Sequence, residues 1–105
     1  MISRIWHGYT LKVNADSYED LLKKEIFTGI VNRHIKGFNG IDLLRRNLGE
    51  EVEFITIMWF VSIDAVKDFA GINYETAVVP PEARALLSRF DEISQHYEVK
   101  HKQYS

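Results

Sequence analysis

The sequence predicts an α+β domain of ferredoxin-like order, β-α-β-β-α-β, whose antiparallel sheet carries its helices on one face. Three observations support this. Glu51 to Gly71, EVEFITIMWFVSIDAVKDFAG, reads as a long apolar strand running straight into an amphipathic helix. Strand-like segments open and close the chain, and one long helical pattern separates the first strand from a hairpin. At 105 residues the chain forms a single domain, 1–105, with room for one core and not two.

The first strand, Ile2 to Thr10, is rich in β-branched and aromatic residues and sets Ser3, Ile5, His7 and Tyr9 on one face. Asn14 or Asp16 can cap the helix that follows, and Asp16 with Glu19 imitates a capping box. This helix is predicted to run to about His34. Tyr18, Leu21, Leu22, Ile26 and Gly29 cluster on one side of it, with Glu25 out of pattern in their midst. Lys36-Gly-Phe-Asn-Gly breaks the helix, and a second strand, Ile41 to Leu48, turns back at Asn47–Glu50 into the strand that begins at Glu51.

In that strand Val52, Phe54, Thr56, Met58 and Phe60 share one face, while Glu53, Ile55, Ile57, Trp59 and Val61 share the other. Both faces are apolar at the centre, so both must be covered. Ser62 caps the second helix, Ile63, Val66, Phe69 and Ala70 form its inward stripe, and Gly71 ends it. Ile72 to Val79 is an irregular crossing segment, Pro80-Pro81 opens a short helix through Leu87, and a final strand spans Phe90 to Lys100.

Composition narrows the function. With 46% hydrophobic and 12% aromatic residues the chain is globular, and no apolar run approaches a membrane span. A net charge of −2 offers no basic excess for nucleic acid or anionic lipid. The absence of cysteine rules out disulfides and thiolate chemistry, and the Met1-Ile-Ser start lacks the basic and apolar segments of a signal peptide. A cytoplasmic location is expected. His7, His34, His96 and His101 lack metal-ligand spacing, so no metal is predicted, and no phosphate loop, nucleophile elbow or dinucleotide fingerprint is present.

Helices on one side leave the other face of the sheet bare. Trp6, Ile55, Ile57 and Trp59 are expected there, forming an apolar surface of a kind that soluble monomers rarely show. Two such sheets packed face to face about a two-fold axis would bury it. The expected assembly is a homodimer, a closed, barrel-like dimeric α+β structure.

The element order, the segment Lys36-Gly37-Phe38-Asn39-Gly40 before the second strand and the run IMWFVSIDAVKDF (Ile57–Phe69) resemble the antibiotic biosynthesis monooxygenase family over nearly the whole chain. The resemblance implies the dimeric α+β barrel. It also implies a choice among cofactor-independent oxygenases of polyketide-like phenols, haem-degrading enzymes, autoinducer-modifying enzymes and proteins of no known activity. The haem-degrading branch uses an asparagine in the first strand, a tryptophan just before the second helix and a histidine after it. Here those positions fall on His7 and Phe60, and no histidine follows the helix before His96. Trp59 lies beside the second position, but a shift of one residue places it on the opposite face. All three departures count against haem degradation, and no cofactor is predicted.

His7 and Glu25 are the predicted catalytic residues. Both titrate, and both are expected to point into the space between the sheet and the first helix, where the pair could remove a phenolic or enolic proton. Such a step suits a cofactor-free oxygenase, whose substrate must become an electron-rich carbanion before it meets oxygen. The same pair could instead be a buried hydrogen bond that holds helix to sheet. Tyr9, Tyr18, Met58, Phe60, Phe69 and Tyr74 are expected to line the substrate pocket. Two function classes stay open: a small monooxygenase-like enzyme for a hydrophobic phenolic or enolisable compound, and a non-catalytic homodimer of the same fold.

Overall fold

The computed structural model describes residues 1–105. Strand β1 (Ile2–Leu11) lies at the centre of an antiparallel sheet beside β3 (Glu51–Phe60), with Ile5 opposite Ile57 and Gly8 opposite Phe54. The strand β2 (Phe38–Asn47) pairs along the other edge of β3 through a tight turn whose Gly49 has φ +93°, a backbone state that glycine enters without strain. The sheet order is β2-β3-β1-β4, which is the predicted ferredoxin-like α+β arrangement.

The last strand departs from expectation. Instead of one strand over Phe90–Lys100, β4 (Leu87–Phe90) pairs with Gly8–Thr10 and β5 (Gln95–Glu98) pairs with Ile2–Ile5. Between them the chain swings out to bond the crossing segment, with Ala77 N–H donating to Glu92 O at 2.8 Å and Ser94 N–H to Glu75 O at 2.7 Å. Asp91-Glu92-Ile93-Ser94 has weak strand propensity, so this detour costs little pairing.

The first helical stretch is also divided: α1 (Ala15–Leu21), a π turn (Leu22–Ile26) and α2 (Phe27–Asn32) follow one another without a break. Neither Asn14 nor the Asp16–Glu19 box caps it. Arg45 Nη1 takes both acids instead, at 2.8 Å from Asp16 and 2.9 Å from Glu19. Helix α3 (Ile63–Ala70) follows prediction: Ser62 Oγ accepts from Ala65 N–H at 3.2 Å, and Gly71 ends it at φ +89°. A single turn, α4 (Pro81–Arg84), begins on proline. No helix is long and apolar enough to cross a membrane.

All helices cover one face. The core has two parts, one of Tyr18, Leu22, Val52 and Phe54 with small alanines, the other of Met58, Phe60, Ala65, Val66 and Phe69. Each large side chain so buried contributes roughly 1.5–3 kcal/mol. The face of β3 is the one predicted. The face of β1 is reversed, because Arg4, Trp6, Gly8 and Thr10 stand opposite Met58, Thr56, Phe54 and Val52 and share their side of the sheet. Trp6 therefore lies under the helices and not on the bare face. Both alternating sets of β1 mix polar and apolar residues, so alternation alone could not orient it. Gly8 decides the matter in space, since a Cβ there would stand 2.7 Å from the Trp6 ring. The bare face carries Ile5, Ile55, Ile57 and Trp59, all half-buried.

Candidate functional site

Between the helices and the sheet lies a cavity of about 60 Å³. Tyr18, Leu22 and Ile26 approach it from the helices, Ile41, Thr56 and Met58 from the sheet, and Phe69 from α3, with Arg4, Trp6 and Ser94 adding polar atoms. Ile26, Ile30, Phe69, Val78 and Pro80 are shared with a wider groove of about 490 Å³, at whose edge stand Glu25, Arg33 and Glu82. The cavity alone holds a few waters, whereas the groove falls within the roughly 300–1,000 Å³ of small-molecule sites. The π turn supplies Leu22 and Ile26 to the wall, and such turns recur at functional positions.

Arg4 dominates the electrostatics. Its side chain is buried, with the residue 4% exposed, and burial lowers its pKa to about 10. Nη1 donates to Tyr74 O at 2.5 Å and meets His96 Nε2 at 2.9 Å, and Nη2 reaches Thr76 O at 3.4 Å. Phe69 lies between two guanidinium groups, 5.5 Å from Arg4 and 5.4 Å from Arg33. Burial, and after it the charge of Arg4, holds the His96 imidazole below its usual pKa. Burial also keeps the Tyr18 phenol protonated.

The predicted residues divide between the two sides of the sheet. Tyr18, Met58 and Phe69 line the cavity, and Glu25 stands at the groove outside it. Phe60 packs between Phe38 and Phe69 in the core, off the cavity wall. Tyr74 sits beyond Arg4, edge-on to His96 at 5.1 Å between ring centres. His7 and Tyr9 face away from the helices: His7 Nδ1 lies 3.2 Å from Glu53 Oε2, and the Tyr9 hydroxyl donates to the same oxygen at 3.3 Å. The expected His7–Glu25 pair therefore does not form, because the sheet separates the two, and the reversed face of β1 is the reason.

Sequence reasoning missed Arg4. The usable signal was a full charge set between the apolar Ile2, Ile5 and Trp6 of a strand, the same kind of irregularity that singled out Glu25. Ser94 gave no signal of its own. No three histidine, aspartate or glutamate side chains converge to hold a metal ion.

Neither a family model nor a curated protein matches the sequence. Among solved structures, a Bacillus cereus protein provisionally assigned as an antibiotic biosynthesis monooxygenase is similar at TM-score 0.69 and 14% identity, over 99% of this chain and 95% of that one. The haem degrader MhuD from Mycobacterium tuberculosis, solved with two haems in its active site, is similar at TM-score 0.60 and 18% identity, over 99% of this chain and 100% of that one. A single-substitution variant of MhuD with two manganese protoporphyrin IX per active site matches at TM-score 0.61 and 18% identity, covering 100% of both chains.

The cavity and groove under the helices do not fit haem, since neither is lined by a histidine or cysteine to hold its iron; His96 lines a separate groove with Tyr74. At these identities the likeness speaks for architecture: the chain has the α+β, ferredoxin-like fold that these solved structures share.

Proposed function

We propose that this protein is a cofactor-independent, monooxygenase-like homodimer acting on a small hydrophobic compound with a phenol or an enolisable carbonyl. The observation that carries this reading is the cavity under the helices, apolar on its walls and cationic at Arg4. Apolar walls favour a ring system, and a buried cation favours its phenolate or enolate over the neutral form. The resulting carbanion is electron-rich enough to meet dioxygen directly. An activated methylene gives up its two hydrogens and gains one oxygen atom as a carbonyl, while the second oxygen leaves as water, so no outside reductant is needed. Glu25, at the groove, is the proton acceptor in this reading, and Tyr18, Met58 and Phe69 hold the rings. The fold shared with the Bacillus cereus protein supports the reading.

The test offers the purified protein, with chelator and without flavin, a panel of tricyclic ketones bearing an enolisable methylene. Oxygen uptake above the buffer rate is expected, with a product heavier by one oxygen and lighter by two hydrogens. A ketone that binds without uptake overturns the oxygenase reading in favour of a non-catalytic small-molecule-binding dimer.

A further inference from the structure

We propose that Arg4 is the anion receptor of the cavity, and that its ligand presents two oxygens of one negatively charged group, a carboxylate or the oxyanion of an enol or phenol with a neighbouring acceptor. This rests on the reading of the cavity as a ligand site and names the chemistry which that site selects.

A guanidinium has five N–H donors, and Arg4 uses three, all on neutral acceptors: Tyr74 O, Thr76 O and His96 Nε2. It belongs to none of the protein's ion pairs. The Nε–H and one Nη2–H stay free. These sit on adjacent nitrogens, the spacing that matches two oxygens of a carboxylate. Thr10 Oγ1 is the one fully enclosed side-chain polar atom without a partner, so Arg4 Nε, which has none either, reaches open space. Arg4 lines the cavity, the open space beside it.

The other polar contacts favour a receptor over a brace. Tying down the crossing segment needs only donors for Tyr74 O and Thr76 O, which a neutral amide would supply without the several kcal/mol of desolvating a charge. His96 accepts from Arg4, which places its proton on Nδ1 and leaves the ring uncharged. The positive charge is therefore not cancelled by the groups that hold it. Phe69, its ring centre 5.5 Å from the guanidinium carbon, continues into the wall against which an apolar ligand body would lie.

Calorimetric titration of the full chain with 2-naphthoate and its methyl ester tests the proposal. Naphthoate is expected to bind at least about tenfold tighter, and Arg4→Met is expected to level the two. Because that variant could lose its fold, the Arg4 Nε–H resonance of the wild type is followed as well, and should move with naphthoate and not with the ester. A nitronaphthol, whose anion absorbs visibly, distinguishes the sources: a bound-state titration about one pH unit lower than in Arg4→Met assigns the site to enolates and phenolates, whereas acid preference without that shift assigns it to carboxylates. Equal affinities, an unmoved Nε–H signal and no titration shift overturn the proposal. Acid preference without oxygen uptake would remove only the oxygenase reading, and oxygen uptake without acid preference would remove only this one.

Discussion

One sheet carries two buried charges, one on each face, and they are treated in opposite ways. Glu53, 7% exposed on the bare face, is saturated: Arg46 Nε at 2.7 Å, His7 Nδ1 at 3.2 Å and the Tyr9 hydroxyl at 3.3 Å surround its carboxylate. Arg46, and after it His7, hold that carboxyl below the usual range. Arg4, under the helices, has only neutral acceptors and two donors to spare. A charge whose bonds are complete belongs to the architecture, while one left open toward a cavity is poised for something that is not part of the chain. The sequence singled out His7, which proves to be an accessory of the first.

The sharpest way to break this contrast is to disturb the bare face itself. Trp59→Glu would place a carboxylate among Ile5, Ile55 and Ile57, with only Lys102 of the exposed tail beside it, at a cost of several kcal/mol once a second copy covers them. Sedimentation should then show a wild-type dimer becoming a monomer. A wild-type monomer, or a variant that stays dimeric, would show that this face is not the interface.

Next in size is the stability difference between the two charges. Glu53→Ala takes the acceptor from His7, Tyr9 and the solvent-exposed Arg46 and should cost about 2 kcal/mol in denaturant unfolding, whereas Arg4→Met both relieves desolvation and loses bonds, and should stay within about 1 kcal/mol of wild type. The reverse order would mean that Arg4 is the structural charge.

The smallest effects are in pH. A depressed Glu53 contributes stability above the unfolded carboxylate value of about 4.3 and loses it as pH falls through the lower folded one, so Glu53→Gln should flatten the stability curve only below about pH 4. His96 is also depressed, but it is a base. Folded His96 resists the proton that unfolded histidine accepts near 6.5, so stability declines as pH falls below about 6.5, and His96→Gln should remove that earlier slope. Two slopes in one window would merge the two regions.

Much of the fold was legible. The strand from Glu51, its helix with the Ser62 cap and Gly71 stop, and the hairpin before it all came from local chemistry: a side chain accepting one N–H, a glycine at positive φ, an apolar run too long to expose. The site was legible in part. Tyr18, Met58 and Phe69 line the cavity, their helical or strand period having fixed their face, while Tyr9, Tyr74 and Phe60 lie elsewhere.

What the sequence determined alone was therefore the order of elements and the face of every strongly patterned one, since a period of 2.0 or 3.6 is a property of the backbone. Tertiary structure decided the rest. Which way β1 faces depended on Trp6 finding room over Gly8; whether Asp16 and Glu19 capped a helix depended on Arg45 arriving from another strand; whether the last strand stayed whole depended on the crossing segment offering Glu92 and Ser94 better bonds. Each is a competition between partners distant in sequence, and no local pattern records its outcome. Arg4 came to line the cavity through such a competition, when the face it shares with Trp6 turned toward the helices.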